Sequence, residues 1–284
     1  MPKTYNDMYI RLRQGLKDAG VEAHSLEARL IIAAAAGKTQ AELLRDMQLY
    51  TSSEVEAKAA ELARRALSGE PVAYVTGAWS FYGVEFKITH DVLIPRTDTE
   101  VLVQAALDQI PGRDGLRILD LCTGSGCVGC AMAHTLPRSR VVLVDNDEKA
   151  LAVAQENVWR LGLADRVECL RMDVNAAPPA DLGSFDLILA NPPYVPTGEL
   201  AKLDASVREY EPWRALDGGP DGLDCVRAIL KNWVAPLRQS GRMLLEIGED
   251  QAQEVFRLMR QADLHQLAAV QDTQGCDRVV LGKK

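Results

Sequence analysis

Strands and helices alternate along most of the chain, which predicts an α/β domain with a mostly parallel sheet covered on both faces, preceded by a small helical bundle. Three observations support this. Short runs of branched apolar residues recur at 116–121, 140–144, 166–171, 185–190 and 243–247. Helical periodicity fills the gaps between them, and residues 5–67 carry helical spacing alone.

In the first segment Ile10, Leu12 and Leu16, then Leu26, Leu30 and Ile31, recur on one face. Thr39 with Glu42, and Ser53 with Glu56, have the capping-box spacing that opens a helix, so four or five short helices are expected. Such a bundle serves either as a structural cap or as a docking surface for a macromolecular partner, and the sequence leaves both open. Gly69-Glu70-Pro71 ends it. From 78 to 89, aromatic and β-branched residues alternate around Gly83, which predicts a hairpin. Ile94-Pro95-Arg96 then runs into a helix expected to be capped at Thr97, with Glu100 three residues on.

The strand at 116–121 meets Cys122-Thr123-Gly124-Ser125-Gly126 and a helix to residue 136, and the strand at 140–144 ends at Asp145. A helix over 149–161 and a strand over 166–171 lead to Met172-Asp173-Val174. After a loop with Pro178-Pro179 come the strand 185–190, a helix 223–237, the strand 243–247, a helix 251–262 and an antiparallel closing pair finishing at Val280 and Leu281.

Hydrophobic residues make up 47% of the chain, enough for a sizeable core. The formal net charge of -8, with lysines and arginines scattered, argues against direct nucleic-acid binding. No apolar run is fit to cross a bilayer and no export signal opens the chain, so a cytoplasmic protein is expected. Cys122, Cys127 and Cys130 have the spacing of a plant-type iron-sulfur loop. They fall, however, within a glycine turn and the helix after a strand, so reduced thiols and no metal are expected.

The chemistry gathers at strand ends. Gly124 and Gly126 let the backbone pass close to a ligand, and an acid at the tip of the second strand, Asp145, is placed to hold a ribose diol. Gly124-x-Gly126-x-x-Gly129 is literally a dinucleotide fingerprint. Asp120 argues against a pyrophosphate, because a carboxylate at the end of the first strand repels an anion and favours a sulfonium or amino group. S-adenosylmethionine carries those cations and no phosphate. His24, His90, His134 and His265 are spread over unrelated elements and form no constellation for hydride transfer.

The strand at 185–190 stops at Asn191-Pro192-Pro193-Tyr194. Two prolines fix φ and remove two N–H donors, leaving carbonyls with no local partner. The Asn191 side-chain carbonyl, the Pro192 carbonyl and the face of Tyr194 together suit a planar group bearing an NH2, either an amide or an exocyclic amine.

From residue 72 to 280 the chain resembles the HemK/PrmC family, the glutamine N5-methyltransferases of peptide chain release factors, and the helical segment in front resembles theirs. The match rests on Ile94-Pro95-Arg96 through Glu100, Asp120-Leu121 through Gly126, Asn191 to Tyr194, Glu211-Pro212 with Ala215-Leu216-Asp217-Gly218-Gly219, and Leu245-Glu246-Ile247-Gly248. It implies a class I methyltransferase with a Rossmann-like sheet: residues 1–70 a substrate-docking helical bundle, 71–90 a linker and hairpin, and 91–284 the S-adenosylmethionine-dependent domain. It also implies a monomer that acts on release factors. The cofactor would lie over Cys122, Thr123, Gly124, Ser125 and Gly126, with Asp145 on the ribose, Asp173 and Val174 beside the adenine, and Asn191 at the methyl. Asn191, Pro192, Pro193 and Tyr194 would bind the glutamine of a Gly-Gly-Gln loop, with Asn191, Pro192 and Tyr194 catalytic.

Two positions depart from the family. Thr97-Asp98 replaces its usual Pro-Glu, and Cys122 replaces a glycine, which implies that this position has no need of positive φ. Two other functions compete. A nucleic-acid adenine N6-methyltransferase uses the same tetrad, but acidic charge and the lack of an arginine- and aromatic-rich recognition region count against it. A binding module without turnover is opposed by the intact glycine turn, Asp145 and tetrad.

Overall fold

A computed structural model describes residues 3–284. The chain divides into two compact units, Met1–Ala78 with Asp204–Tyr210, and Trp79–Leu203 with Glu211–Lys284. Among the described residues no helix is long and apolar enough to cross a membrane.

The first unit is helical: α1 (Tyr5–Asp18), α2 (His24–Ala36), α3 (Gln40–Arg45), α4 (Ser53–Leu67) and α5 (Val72–Thr76). Thr39 and Glu42 form the expected capping box, and Thr4 with Asp7 forms a second. The cap of α4 is Ser52 rather than Ser53: its hydroxyl accepts from the Val55 N–H, so the helix starts one residue sooner. Tyr5, Ile32, Ala33 and Leu43 meet in a small apolar core.

The second unit opens with the hairpin β1 (Ala78–Phe81) and β2 (Val84–Lys87). Its two-residue turn puts Tyr82 at φ +48° and Gly83 at +74°, the sign that a tight hairpin needs. A 3-10 turn over Thr97–Thr99 then feeds α6 (Glu100–Asp108). Thr97 does not cap it: neither end of the turn has a side-chain cap, and Glu100 instead accepts the Tyr82 N–H at 2.7 Å. The strained turn residue competes successfully for that carboxylate.

The main sheet is built from β3 (Arg117–Leu121), β4 (Arg140–Asp145), β5 (Val167–Arg171), β6 (Phe185–Ala190), β7 (Leu237–Glu246), β8 (His265–Gln271) and β9 (Asp277–Lys283). Their order is β5-β4-β3-β6-β7-β9-β8, parallel from β5 to β7 and antiparallel beyond. Between strands lie α7 (Cys127–Thr135), α8 (Glu148–Arg160), α9 (Ala205–Tyr210, which belongs with the first unit), α10 (Asp224–Asn232) and α11 (Ala252–Gln261). The order reverses between β3 and β6, so a crevice opens at the carboxyl ends of those strands. Leu119, Leu121, Ile188, Ala190 and Leu245 fill the core beneath.

Helix α10 is shorter than its apolar spacing suggests, because Pro236 cannot continue a helix and Trp233 turns inward to donate to the Val174 carbonyl at 3.1 Å. Strand β7 therefore begins at Leu237, with a first half too exposed to read as an apolar run. Residues 195–203 and 211–222, for which the sequence pattern suggests no element, include segments that return to the tetrad. Val195 donates to the Leu216 carbonyl and Gly218 donates to that of Val195, both at 2.9 Å.

Helix α7 presses on the sheet through Gly129, where a Cβ would collide with Leu143 and lie 3.1 Å from both Asp120 Oδ2 and Val141 Cγ1. Gly129→Ala is therefore expected to lower the free energy of unfolding by about 1–3 kcal/mol, the cost of overpacking a filled core. Urea denaturation with an unchanged midpoint would show that α7 has slack.

Candidate active site

The turn after β3 is held by acids. Asp120 is 1% exposed, and its Oδ2 accepts from the Thr123 hydroxyl at 2.5 Å and from the Gly129 N–H at 2.9 Å. Burial pushes its carboxyl up to about 7 against those hydrogen bonds. Asp120 therefore fastens turn to helix, a task that its expected role facing a cation did not include. Gly124 donates to Asp145 Oδ2 at 2.9 Å and Asp147 to Oδ1 at 3.0 Å. Burial also raises the Asp145 carboxyl.

Cys122 corrects a second expectation. Its φ is +56°, so the turn does require the left-handed region here, and the side chain is accommodated at a cost of about 1–2 kcal/mol. Its sulfur sits 3.7 Å from that of Cys225 at the start of α10. Gly126, at φ +80°, starts α7, and a Cβ there would meet Leu143 and Ala154 at 3.1 and 3.2 Å.

A cavity of about 410 Å³ opens over this turn. Cys122, Thr123, Gly124, Ser125, Asp145, Val174, Asn191 and Pro193 line it, together with Asp120, Asp147, Met172, Asn175 and Arg214. Gly126, Asp173, Pro192 and Tyr194 are not among its lining. Asp173 Oδ1 accepts from the backbone and side-chain N–H groups of Asn175 at 2.9 and 2.8 Å, and Met172, Val174 and Asn175 on either side of it line the wall. Arg214 is paired with Asp147 across the mouth.

The tetrad stands at the end of β6. Asn191 Nδ2 donates to Thr99 Oγ1 at 3.2 Å, which leaves Oδ1 without a protein donor among the described residues. No N–H among them donates to the Pro192 carbonyl. The Tyr194 hydroxyl points away from the cavity toward Glu246 Oε1 at 3.4 Å, and its backbone carbonyl accepts from Gln251 Nε2 at 3.0 Å. Burial raises the Tyr194 phenol, and the Glu246 charge adds to the rise.

Local pattern gives Thr99 and Glu246 no evident role, although Glu246 stands out as an acid within the apolar run Met243-Leu244-Leu245-Glu246-Ile247. Arg96 and Glu211, also motif residues, form a buried-carboxylate pair to which the Ile94 N–H adds a bond at 3.2 Å, so they brace the loop before Thr99.

The residues expected to hold S-adenosylmethionine fit a nucleoside with a cationic tail. A Cβ at Gly124 would meet no protein atom within 4 Å, so the space before the turn is left for a ligand. Six aspartates, Asp91, Asp120, Asp145, Asp147, Asp217 and Asp224, line the wall, which favours a cation over a pyrophosphate.

A parallel-dominated sheet with this cleft at its carboxyl edge defines a class I methyltransferase. Residues 97–206 match the methyltransferase small domain, and residues 7–77 match the PrmC N-terminal domain. A methyltransferase from Pyrococcus furiosus shares the fold, with a TM-score of 0.54 at 17% identity over 79% of this chain and 98% of that one. The release factor glutamine methyltransferase of Moorella thermoacetica is 41% identical over 95% of this chain and 97% of its own length. That of Caulobacter vibrioides is 38% identical over 95% and 92%. The chain belongs to the release factor glutamine methyltransferase family.

Cys122 offers a clean test of the turn. Cys122→Ala and Cys122→Gly both lack the thiol, but only alanine keeps a Cβ at positive φ. The glycine variant should be the more stable by about 1 kcal/mol in denaturant titration. Equal stabilities would mean that the turn relaxes out of the left-handed region.

Proposed function

We propose that the chain transfers a methyl group from S-adenosyl-L-methionine to the side-chain amide nitrogen of the glutamine in the Gly-Gly-Gln motif of peptide chain release factors. The observation that carries the reading is the Asn191 tetrad at the end of β6, set on the rim of a nucleoside-sized cavity whose walls are acidic.

When bound, the cofactor supplies an electrophilic methyl on a sulfonium. The chain's own residues do the rest. Thr123, Gly124 and Ser125 cradle the ligand, Asp145 accepts from the ribose hydroxyls, and Val174 packs beside the adenine with Met172. An amide nitrogen is a poor nucleophile, since its lone pair is shared with the carbonyl. The site therefore works by alignment: Asn191 Oδ1 and the Pro192 carbonyl accept the two N–H bonds of the glutamine amide, and Pro193 with Tyr194 shapes the slot around its plane. The proton leaves as the product becomes cationic, to water or to one of those carbonyls.

The first unit has its own apolar groove of about 610 Å³ between α1 and α4, lined by Met8, Leu12, Ile32 and Ala63. We assign to it the docking of the release factor. The protein is proposed to act as a monomer. A termination factor as substrate puts the work in the cytoplasm, and the net charge of -8 opposes a direct nucleic-acid partner.

Asn191→Ala should leave cofactor affinity largely intact and reduce methyl transfer about a hundredfold or more, the scale of a lost transition-state contact. Near-normal turnover would reduce the tetrad to a turn. Asp145→Ala should weaken S-adenosylmethionine binding about tenfold in calorimetry, through loss of charge-assisted hydrogen bonds. Unchanged affinity would place the ribose elsewhere. Methyl-labelled cofactor supplied with release factor, DNA and tRNA tests the substrate itself. Label is expected in the release factor, and label in nucleic acid would overturn the reading.

A further inference from the structure

Two thiols from distant parts of the chain meet on the cavity wall. Cys122 opens the turn after β3 and Cys225 lies in the first turn of α10, 103 residues later, with their sulfurs 3.7 Å apart. Both are free, both line the cavity and both are partly exposed, whereas Cys127 and Cys130 are buried. Glycine would hold the φ of +56° at the first position without strain. Packing is therefore a poor account of a cysteine there, and its contact with a second thiol is a better one.

We propose that Cys122 and Cys225 form a reversible thiol–disulfide site that closes the cofactor cavity when oxidised, a role that rests on this cavity being where S-adenosylmethionine binds. A disulfide holds its sulfurs about 2.05 Å apart, so these two have roughly 1.6 Å to close. One side is anchored. The Thr123 hydroxyl donates to Asp120 at 2.5 Å and its N–H to the Val144 carbonyl at 3.0 Å, which fixes the turn to the sheet. The α10 side therefore carries the movement. The Asp224 N–H donates to the Gly218 carbonyl at 2.9 Å, and between Gly219 and the Asp224 side chain there is no room even for a Cβ. Asp217, Gly218, Gly219 and Asp224 all line the cavity, so drawing Cys225 toward the turn brings that wall in with it.

The oxidant is a peroxide, small enough to enter the cavity. The hydrogen bond to Cys225, burial and the charges of Asp145 and Asp120 push the Cys122 thiol up, so the first oxidation falls on Cys225. Its sulfur gives up a proton and attacks a peroxide oxygen. The O–O bond breaks, the departing hydroxide takes a proton to become water, and Cys225 is left as a sulfenic acid. The Cys122 sulfur then attacks the Cys225 sulfur, the S–O bond breaks, and the Cys122 proton leaves with that hydroxide as a second water. Two thiols are oxidised to one disulfide while one peroxide is reduced to two waters. A dithiol reverses the reaction by exchange.

The test treats the whole purified chain with hydrogen peroxide. Cross-links are read by proteolysis and mass spectrometry, and S-adenosylmethionine affinity by calorimetry. Peptides joined through Cys122 and Cys225 are expected, with affinity lowered about tenfold or more, an ordinary size for coupling between two sites. Dithiothreitol should undo both changes. Because linkage is reciprocal, S-adenosylmethionine present during the treatment should slow the cross-link. Treated Cys225→Ser should stay within about twofold of its own untreated affinity, since it has no partner to couple. Cys276→Ser, which removes a partly exposed thiol outside the cavity lining, should respond as the wild type does.

Treated protein without the Cys122–Cys225 cross-link would overturn the proposal. So would a cross-link that leaves affinity unchanged, a Cys225→Ser protein that loses affinity as the wild type does, or a loss that dithiothreitol does not reverse. The cofactor site is judged separately, on untreated protein. If Asp145→Ala keeps full affinity, the cavity reading falls and the switch with it, even where the cross-link forms.

Discussion

One carboxylate without solvent organises the centre of this molecule. Asp120, next to the end of the central strand β3, lies in the core and accepts from both the turn at Thr123 and the helix at Gly129. Strand, turn and helix are thereby joined at the point where the sheet order reverses and a crevice must open. A buried acid with only two donors is costly, and the upward shift of its carboxyl reports that cost. The return is a turn rigid enough to hold Cys122 at positive φ and to keep the Gly124 backbone aimed at Asp145.

The electrostatics of the cleft follow from this arrangement. Asp91, Asp120, Asp145, Asp147, Asp217 and Asp224 all line one cavity, and among the described residues Arg214, paired with Asp147, is the one basic side chain in that lining. Such a wall disfavours a pyrophosphate and suits a ligand with cationic centres. That distinction matters because the spacing of Gly124, Gly126 and Gly129 is shared with dinucleotide sites. Gly129 in this chain serves close packing against Leu143 and Val141, and the third glycine of the pattern is thus a matter of helix-on-sheet fit.

The far side of the cleft has a different logic. The Asn191 tetrad has few internal partners, as a recognition site should, and its order comes from behind. Thr99 takes the amide of Asn191, Glu246 takes the hydroxyl of Tyr194, and the pair Arg96 with Glu211 anchors the loop that carries Thr99. Val195, Leu216 and Gly218 close the same wall through backbone hydrogen bonds. Motif stretches well separated along the chain, at 94–100, 191–194, 211–219 and 245–248, thus meet as one support.

Local pattern was enough for the alternation of strands and helices, the glycine turn, the acid at the tip of β4 and the tetrad after β6. Each of these depends on periodicity or on the backbone limits of glycine and proline, which neighbouring residues in the chain already express. Contacts between distant segments are invisible to that reading. Thr97 and Glu100 have capping spacing, yet Tyr82 takes the Glu100 carboxylate. Residues 233–237 have helical spacing, yet Pro236 and the inward-turned Trp233 end α10 early. Asp173 also binds locally, its Oδ1 accepting from Asn175, a contact that the spacing does not announce. The left-handed backbone at Cys122 and the placement of Glu246 behind Tyr194 likewise come from the packing of β3, β6 and β7, because a side chain's partner across a sheet is set by register and burial and leaves no local trace in the chain.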